Sequence, residues 1–368
     1  MSRPSSDKAV GAEGLRSADR LFFGLLLVAF PAAVASHFFF PGTNTFVLCC
    51  LALIPLARLM GEATEVIAHK LGAGLGGLMN ASFGNAAELI IAIAALREGQ
   101  IEVVKASITG AILGNILLVL GMAIVAGGVR REKQTFNATA ALSGSAMMFL
   151  ALVAMTIPDL FHVARGDAAL PVLQKMSVGI SVVLLFMYAL SLLFALRTHQ
   201  HLYAAESEGV EEDLPNWSQA KAVGVLLGAT VGVVVMAEFL VKAIEPAIES
   251  FGFTHTFIGV IVIAIIGNAA EHSTAILMAR KNKMDLAFNI SFESSKQIAL
   301  FVAPVLVLLS IPMGHPLTLE FSHMEVVGMG VGVGAATLIG LDGESNWLEG
   351  AMLLGVYAIL AVAFFFVP

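Results

Sequence analysis

The sequence Gly-Asn-Ala-Ala-Glu stands at residues 84–88 and again at residues 267–271, each time within a strongly apolar run. The second copy lies 183 positions after the first, and the same offset places Arg97 on Arg280. The register holds from residue 62 to residue 119 without a gap. An unbroken register that also matches polar residues indicates internal duplication. Many secondary transporters are built in this way, with the binding site at mid-membrane between the two copies.

The composition is that of an integral membrane protein. Of the 368 residues, 58% are hydrophobic and 13% are charged, and the mean hydropathy is +0.89. Soluble proteins carry about 25% charged residues. No basic patch with interleaved aromatic residues indicates a nucleic-acid partner. The two cysteines, Cys49 and Cys50, are neighbours in an apolar run, where a thiol behaves as a small hydrophobic group.

Apolar runs of about 20 residues predict an all-α integral membrane protein with about eleven transmembrane helices. We expect a cytoplasmic tail (1–20), an extra N-terminal helix (21–40), a first five-helix repeat (44–197), an acidic cytoplasmic linker (198–219) and a second five-helix repeat (220–368). The ten apolar runs of the repeats are 45–68, 75–96, 102–129, 135–157, 174–197, 220–243, 256–279, 284–311, 321–341 and 345–367.

The distribution of basic residues predicts the orientation. With the N-terminus in the cytoplasm, thirteen Lys and Arg residues collect on the cytoplasmic side and four on the other, in keeping with the positive-inside rule. Because each repeat has an odd number of helices, the two copies would be inverted relative to each other. The C-terminus would then lie on the opposite side of the membrane. The short termini favour a bacterial cytoplasmic (inner) membrane.

The linker contains five acidic residues between Glu206 and Asp213. It is interpreted as a solvated connection between the repeats. The alternative is a segment that attracts cations or regulates transport.

Two glutamates, Glu88 and Glu271, end the repeated motif. A carboxylate in hydrocarbon costs several kcal/mol unless it is paired, protonated or in contact with water, so an intramembrane glutamate indicates a functional site. Asn85 and Asn268 precede them by three positions, which places each amide on the same helix face as its carboxylate. The alternative is a structural pair, with each carboxylate bonded to a neighbouring helix.

The oxygen-rich motif favours a hard cation. The preceding Gly84 and Gly267 can loosen the helix so that backbone carbonyls turn toward a ligand. Two carboxylates as metal ligands, two amides and freed carbonyls suit the six to eight oxygens that Ca²⁺ prefers, and suit Mg²⁺ less. A site for a soft metal would need Cys or His, and only His272 is close in sequence.

Charge favours exchange with protons. Two carboxylates balance one divalent cation, but an empty, doubly negative site is unfavourable in a low-dielectric interior. Burial and mutual repulsion both favour the protonated form of a carboxyl group. Competition of Ca²⁺ and H⁺ for the same pair would couple the two fluxes. We expect transported Ca²⁺ and H⁺, a lipid bilayer around the protein, no cofactor and no enzymatic activity. A homo-oligomer is left open.

Further polar residues are candidates for the cavity or its gates. Glu62 and Glu245 match at the same offset but lie near helix ends, where a solvated glutamate is ordinary. His272 could relay protons or simply pack. Gly110 and Gly114 have the small-residue spacing of close helix contact. The remaining candidates, on the two partner helices, are Ser107, Glu293, Ser294, Lys296 and Gln297.

With these motifs the chain resembles the cation/proton exchanger family of the calcium/cation antiporter superfamily. The resemblance implies Ca²⁺ export driven by proton influx through alternating access, with Glu88 and Glu271 as shared ligands and Asn85 and Asn268 beside them. It also implies an extra first helix ahead of a ten-helix core. Besides the repeated motif, the supporting stretches are Gly61-Glu62-Ala63-Thr64-Glu65, Asn80-Ala81-Ser82-Phe83-Gly84-Asn85, Gly99-Gln100-Ile101, Asn282-Lys283-Met284-Asp285-Leu286-Ala287 and Gln297-Ile298-Ala299-Leu300-Phe301-Val302.

The chain departs from the family pattern on the partner helices. Where the family has Gly-Ser, the chain has Gly110-Ala111 and Glu293-Ser294, and Lys296 precedes Gln297. Glu293 and Lys296 are three positions apart and can neutralise each other. Alternatively, Glu293 adds a third carboxylate to the cavity, or the ammonium of Lys296 competes with the cation.

Other classes of function stay open. A Na⁺- or K⁺-coupled exchanger and one for Mn²⁺ or Cd²⁺ are the nearest alternatives, although the Ser-Pro-Glu pattern of sodium/calcium exchangers is replaced here by Asn-Ala-Ala-Glu. A cation channel could also line its pore with two glutamates. An intramembrane hydrolase would need a second cluster of metal ligands or a serine nucleophile motif, which the sequence lacks.

Overall fold

A computed structural model describes residues 6–199 and 215–366 of the chain. Its helices are α1 Ser6–Phe39, α2 Thr43–Phe83, α3 Ala86–Arg97, α4 Ile101–Gly128, α5 Ala138–Arg165, α6 Leu170–Thr198, α7 Gln219–Lys242, α8 Ile244–Phe251, α9 His255–Gly267, α10 Ala269–Arg280, α11 Met284–Met313, α12 His323–Gly340 and α13 Trp347–Phe366. Two short strands, β1 Gln134–Thr135 and β2 Glu344–Ser345, pair antiparallel.

The all-α membrane architecture is confirmed. Within the two described ranges, nine helices are long and apolar enough to cross a membrane, and a tenth span is formed if α8 and α9, bent by 113°, count as one. The predicted total of eleven is not confirmed. The run 75–96 is divided at Gly84 and Asn85 into the end of α2 and the short helix α3, so no single continuous helix covers it.

Two predicted segments fall partly outside the described residues. The five acids of the linker all lie in the stretch that the structure leaves undescribed, which spans residues 200–214. Helix α1 begins at Ser6, so the helix reaches into the segment predicted as a polar tail. From Leu21 onward few residues of α1 are buried, and the helix packs against α2.

The duplication is visible in the backbone. Asn85 stands at the break between α2 and α3, and Asn268 at the break between α9 and α10. A π-helical segment interrupts α4 at Gly114–Val119, and another interrupts α11 at Ile298–Val302. Two helix breaks and two π segments thus recur at the spacing of the sequence repeat.

The equivalent helices α5 and α12 run in opposite directions. Near the start of α5, the N–H of Phe136 donates to the carbonyl of Gly343, which follows α12. Near the end of α5, His162 bonds Glu320, which precedes α12. Since α5 is 28 residues long, about 42 Å at 1.5 Å per residue, the two contacts lie at opposite ends of the bundle. The repeats are therefore inverted.

Glycines allow α4 and α9 to touch through their backbones. A Cβ atom added at Gly110 would lie 2.2 Å from the carbonyl oxygen of Val260, and one added at Gly259 would lie 2.4 Å from the Cβ of Ala106. The predicted close contact thus holds for Gly110. A Cβ at Gly114 would meet nothing within 4 Å, so packing does not explain that glycine. The contact brings the first repeat's α4 against the second repeat's broken helix.

We expect Gly110→Ala to destabilise the protein. The added methyl group would overlap the backbone of Val260, which cannot rotate away, and such overpacking typically costs about 1–3 kcal/mol. Thermal unfolding in detergent would measure the change. Gly228→Ala on the exposed face of α7, where a Cβ meets nothing within 4 Å, is the matched control and should leave the melting temperature unchanged or raise it. Equal stability of the two variants would contradict this account of the α4–α9 contact.

Candidate functional site

The site is built where a membrane helix is interrupted in each repeat. Asn85 has φ −105° and ψ 32°, and Asn268 has φ −88° and ψ 15°, so both residues leave the helical path and a new helix starts directly after each. Glu88 and Glu271 lie in the first turns of α3 and α10. The N-terminus of a helix carries partial positive charge, which favours a carboxylate there.

The two glutamates are partly buried and each has an enclosed oxygen. Glu88 Oε1 and Glu271 Oε2 are shielded from solvent and have no hydrogen-bond partner among the residues that the structure describes. The two carboxyl groups are close enough to interact electrostatically. The structure therefore brings together the pair that the sequence singled out, and the enclosed oxygen of each carboxylate is not hydrogen-bonded to any described residue.

Glu88 contacts the motif of the other repeat. A Cβ atom added at Gly267 would lie 3.1 Å from Glu88 Cγ and 3.4 Å from Glu88 Oε1. A cavity of about 20 Å³, room for about one water molecule, lies beside Glu88 and is lined by Ser107 of α4 and by apolar side chains of α9 and α11. The absence of a side chain at Gly267 is what lets the carboxylate approach.

The asparagine of the first motif is held by the second repeat. Asn85 Nδ2 donates to Gln297 Oε1 at 2.6 Å, and Ser294 Oγ donates to Asn85 Oδ1 at 3.3 Å. Both ends of the amide are thus bonded to α11. Gln297 also lies against the first motif, since its Oε1 would be 3.3 Å from a Cβ at Gly84.

The asparagine of the second motif is held in the same manner by the first repeat. Asn115 Nδ2 donates to Asn268 Oδ1 at 3.0 Å, and Asn268 Nδ2 donates to the carbonyl of Ala264 at 2.8 Å. Asn115 Oδ1 is buried and has no bond within the described part of the chain. Asn115 is a residue that sequence reasoning did not assign to the site. Its position, one residue from the repeat equivalent of Gln297, was the available signal.

Glu65 of α2 is a second residue that sequence reasoning did not assign to the site. It is close enough to Glu271 and to Glu62 to interact with both electrostatically. The residue stood at the end of the stretch 61–65 on which the family resemblance rested, so the signal was present in the sequence. A third carboxyl group therefore lies near the glutamate pair.

The other candidates lie around this centre with separate partners. Glu62 bonds Arg58 at 2.7 Å, whereas its repeat equivalent Glu245 bonds His255 at 2.8 Å. His272 Nε2 is enclosed and has no hydrogen-bond partner in the described ranges. Ser107 Oγ donates to the carbonyl of Val104.

Glu293 and Lys296 form an ion pair on α11, with 2.5 Å between Glu293 Oε1 and Lys296 Nζ. The pair stands on the same helical turn as Ser294 and Gln297, which hold Asn85. The departure from the family pattern thus consists of two opposite charges in direct contact.

Within residues 6–199 and 215–366, no three His, Cys, Asp or Glu side chains converge as a ready set of metal ligands. A cation at this site would therefore take the two motif carboxylates together with amide, backbone or water oxygens. Such an oxygen-only ligand set suits hard cations such as Ca²⁺.

Comparison with known proteins gives close relatives along nearly the whole chain. A family model described as sodium/calcium exchanger protein matches residues 41–197 and 221–366. The chain is 47% identical over 362 residues to the Ca²⁺/H⁺ antiporter of Synechocystis sp., a match that covers 94% of this chain and 97% of that protein. It is 44% identical over 353 residues to the Ca²⁺/H⁺ antiporter ChaA of Bacillus subtilis, covering 94% and 99%.

Solved structures agree with these relatives. Native YfkE matches with a TM-score of 0.82 at 40% identity, covering 94% of this chain and 100% of that one. The H⁺/Ca²⁺ exchanger CAX matches with a TM-score of 0.67 at 15% identity, which shows a shared fold alone. The resemblance drawn from the motifs is confirmed. The chain belongs to the sodium/calcium exchanger protein family.

Proposed function

We propose that the protein is a secondary active antiporter that exports cytoplasmic Ca²⁺ in exchange for H⁺, with Glu88 and Glu271 shared by both ions. The observation that carries the proposal is the pair of enclosed carboxylate oxygens without hydrogen-bond partners in the described residues, one from each inverted repeat. Relatives that are 44–47% identical along nearly their whole length are named Ca²⁺/H⁺ antiporters, which supports the choice of ions.

Charge balance explains the exchange. Two ionised carboxylates in the membrane are neutralised either by one divalent cation or by protons, and leaving both negative is the unfavourable state. A site that must be neutral to be enclosed can pass between the two faces only when it is occupied by Ca²⁺ or by H⁺. Glu65, close to Glu271, adds to the negative potential that attracts a cation.

The asparagines are proposed to set the geometry of this site. Each one occupies the position before a helix that carries a glutamate, and its side chain bonds α4 or α11 of the opposite repeat. Movement of one repeat against the other would therefore change these bonds and the glutamate positions together. The amide oxygens, now accepting from Ser294 and Asn115, and the carbonyls at Gly84 and Gly267 are the proposed additional ligands for Ca²⁺.

We propose transport by alternating access, which the inverted repeats support because two copies of opposite direction can exchange conformations. We propose a cytoplasmic N-terminus, a C-terminus on the other side and residence in the bacterial cytoplasmic membrane. The distribution of Lys and Arg residues supports this orientation.

Glu88→Gln and Glu271→Gln should each abolish proton-driven transport. Loss of one negative charge leaves a single carboxylate against a divalent cation, and we expect Ca²⁺ uptake to fall by at least about 100-fold. Uptake of Ca²⁺ into inside-out proteoliposomes with an acidic interior would be measured, with and without a protonophore.

The control for these variants is Glu249→Gln, which removes an exposed carboxylate on α8 and should transport like the wild type. Ca²⁺ flux that ignores the pH gradient in the wild type, or that survives either site substitution, would contradict the shared-site mechanism. Such a result would direct attention to Na⁺ or K⁺ as driving ions or to a channel.

Gln297→Leu and Asn115→Leu should impair transport although neither residue carries charge. Each substitution leaves a buried amide of Asn85 or Asn268 without its partner, at a cost of about 1–3 kcal/mol, and frees the helix break to rotate. We expect a raised KM for Ca²⁺. Thr156→Val, which removes only a bond to the carbonyl of Leu152 within α5, is the control. A KM equal to the control in both variants would remove the asparagines from the proposed site.

A further inference from the structure

Five consecutive residues of α11, 293–297, have polar side chains, and three of these side chains bond residues of the first repeat. Ser294 and Gln297 hold Asn85, and Ser295 Oγ donates to the carbonyl of Ile112 in α4. The remaining two are Glu293 and Lys296. Their charges take no part in holding the asparagines.

Lys296 is among the most deeply buried charged residues described. Only 5% of its side chain is exposed, against 30% for Glu293, and its ammonium group contacts the Glu293 carboxylate at 2.5 Å. A buried ammonium group needs a counter-ion, and Glu293 supplies it from three positions away on the same helix face. The described groups that interact with Glu293 are this lysine and Tyr188 of α6.

Because Glu293 and Lys296 carry opposite charges, the pair contributes no net charge to the interior of the protein. Without the ammonium group of Lys296, the carboxylate of Glu293 would have no counter-ion on α11, where Ser294 and Gln297 hold Asn85. It would then have to take up a proton or a cation, as Glu88 and Glu271 do. The number of ionisable carboxyl groups that exchange their occupant would rise by one.

We propose that Lys296 is a tethered counter-ion that withdraws Glu293 from the exchange, so that the coupling ratio is set by Glu88 and Glu271. This inference rests on the proposed antiport. Lys296 is a specificity-determining residue, since it acts on the number of exchanged ions without contacting the transported one.

The test measures the number of protons exchanged per Ca²⁺. In proteoliposomes with a known Ca²⁺ gradient, this number is calculated from the pH gradient and the membrane potential at which the net Ca²⁺ flux is zero. In Lys296→Met this number should rise by up to one, the capacity of a single carboxyl group, and the pH profile of transport should change. Lys296→Arg, which keeps the charge, should retain the wild-type ratio.

The double variant Glu293→Gln with Lys296→Met decides between coupling and mere structure. It removes both charges, leaves no buried ion unpaired and should return the wild-type ratio and pH profile.

Glu293→Gln alone leaves an ammonium group near the site and should raise the KM for Ca²⁺ by about tenfold, an effect that the second substitution relieves. Should Lys296→Met fail to fold, Lys296→Gln, which also removes the charge and keeps Glu293, takes its place and should show the same change in the ratio.

Three results would overturn the inference. They are an unchanged ratio and pH profile in Lys296→Met, a double variant as altered as the single one, and a double variant whose ratio differs from the wild type. An absence of proton-driven Ca²⁺ flux in the wild type would instead overturn the antiport itself, and this inference with it.

Discussion

The structure depends on one constraint, that a carboxylate enclosed in a membrane protein must be neutralised. Within the described residues, one enclosed oxygen of Glu88 and one of Glu271 have no hydrogen-bond partner that could neutralise them. Glu62, Glu245 and Glu293 meet this constraint with a basic partner on the same helix or the next one. Glu88 and Glu271 thus differ from these three glutamates in their surroundings, and the pair is the site at which we propose that an exchangeable cation binds.

The helix breaks make this arrangement compatible with a membrane. Unpaired backbone groups in hydrocarbon are expensive, and non-helical backbone is tolerated where it is enclosed by protein. Asn85 and Asn268 interrupt their helices, and each is bonded to a helix of the other repeat. The same two residues therefore terminate one helix, start the next and connect the repeats, so the position of each glutamate depends on the packing of both halves.

Most of the architecture and the centre of the candidate site could be predicted from the sequence, because the same residues recur in both repeats at a constant spacing. The repeated motif identifies the glutamate pair and the asparagines. The odd number of helices in each repeat predicts that the two copies are inverted relative to each other. The predicted count of eleven continuous helices is not confirmed. A run such as 75–96 is apolar throughout, and hydropathy alone does not reveal the helix break at Gly84 and Asn85. Glu65 and Asn115 were not assigned to the site because their contacts join helices that are distant in sequence, although each residue lies in or next to a stretch that the sequence had singled out.

The repeat also separates what duplication preserved from what has since diverged. At the offset of 183, His162 corresponds to Ser345 and Glu320 to Asn137, so the contacts that join α5 and α12 at their two ends are equivalent in position. At one end β1 pairs with β2 through backbone bonds, reinforced by Lys133 and Glu344. At the other end His162 bonds Glu320, and His323 lies 3.4 Å from Asp159. The first end is thus joined by backbone hydrogen bonds, whereas the second is joined by contacts between histidine and carboxylate side chains. The backbone symmetry of the two repeats thus coexists with chemically different contacts at the two ends of α5 and α12.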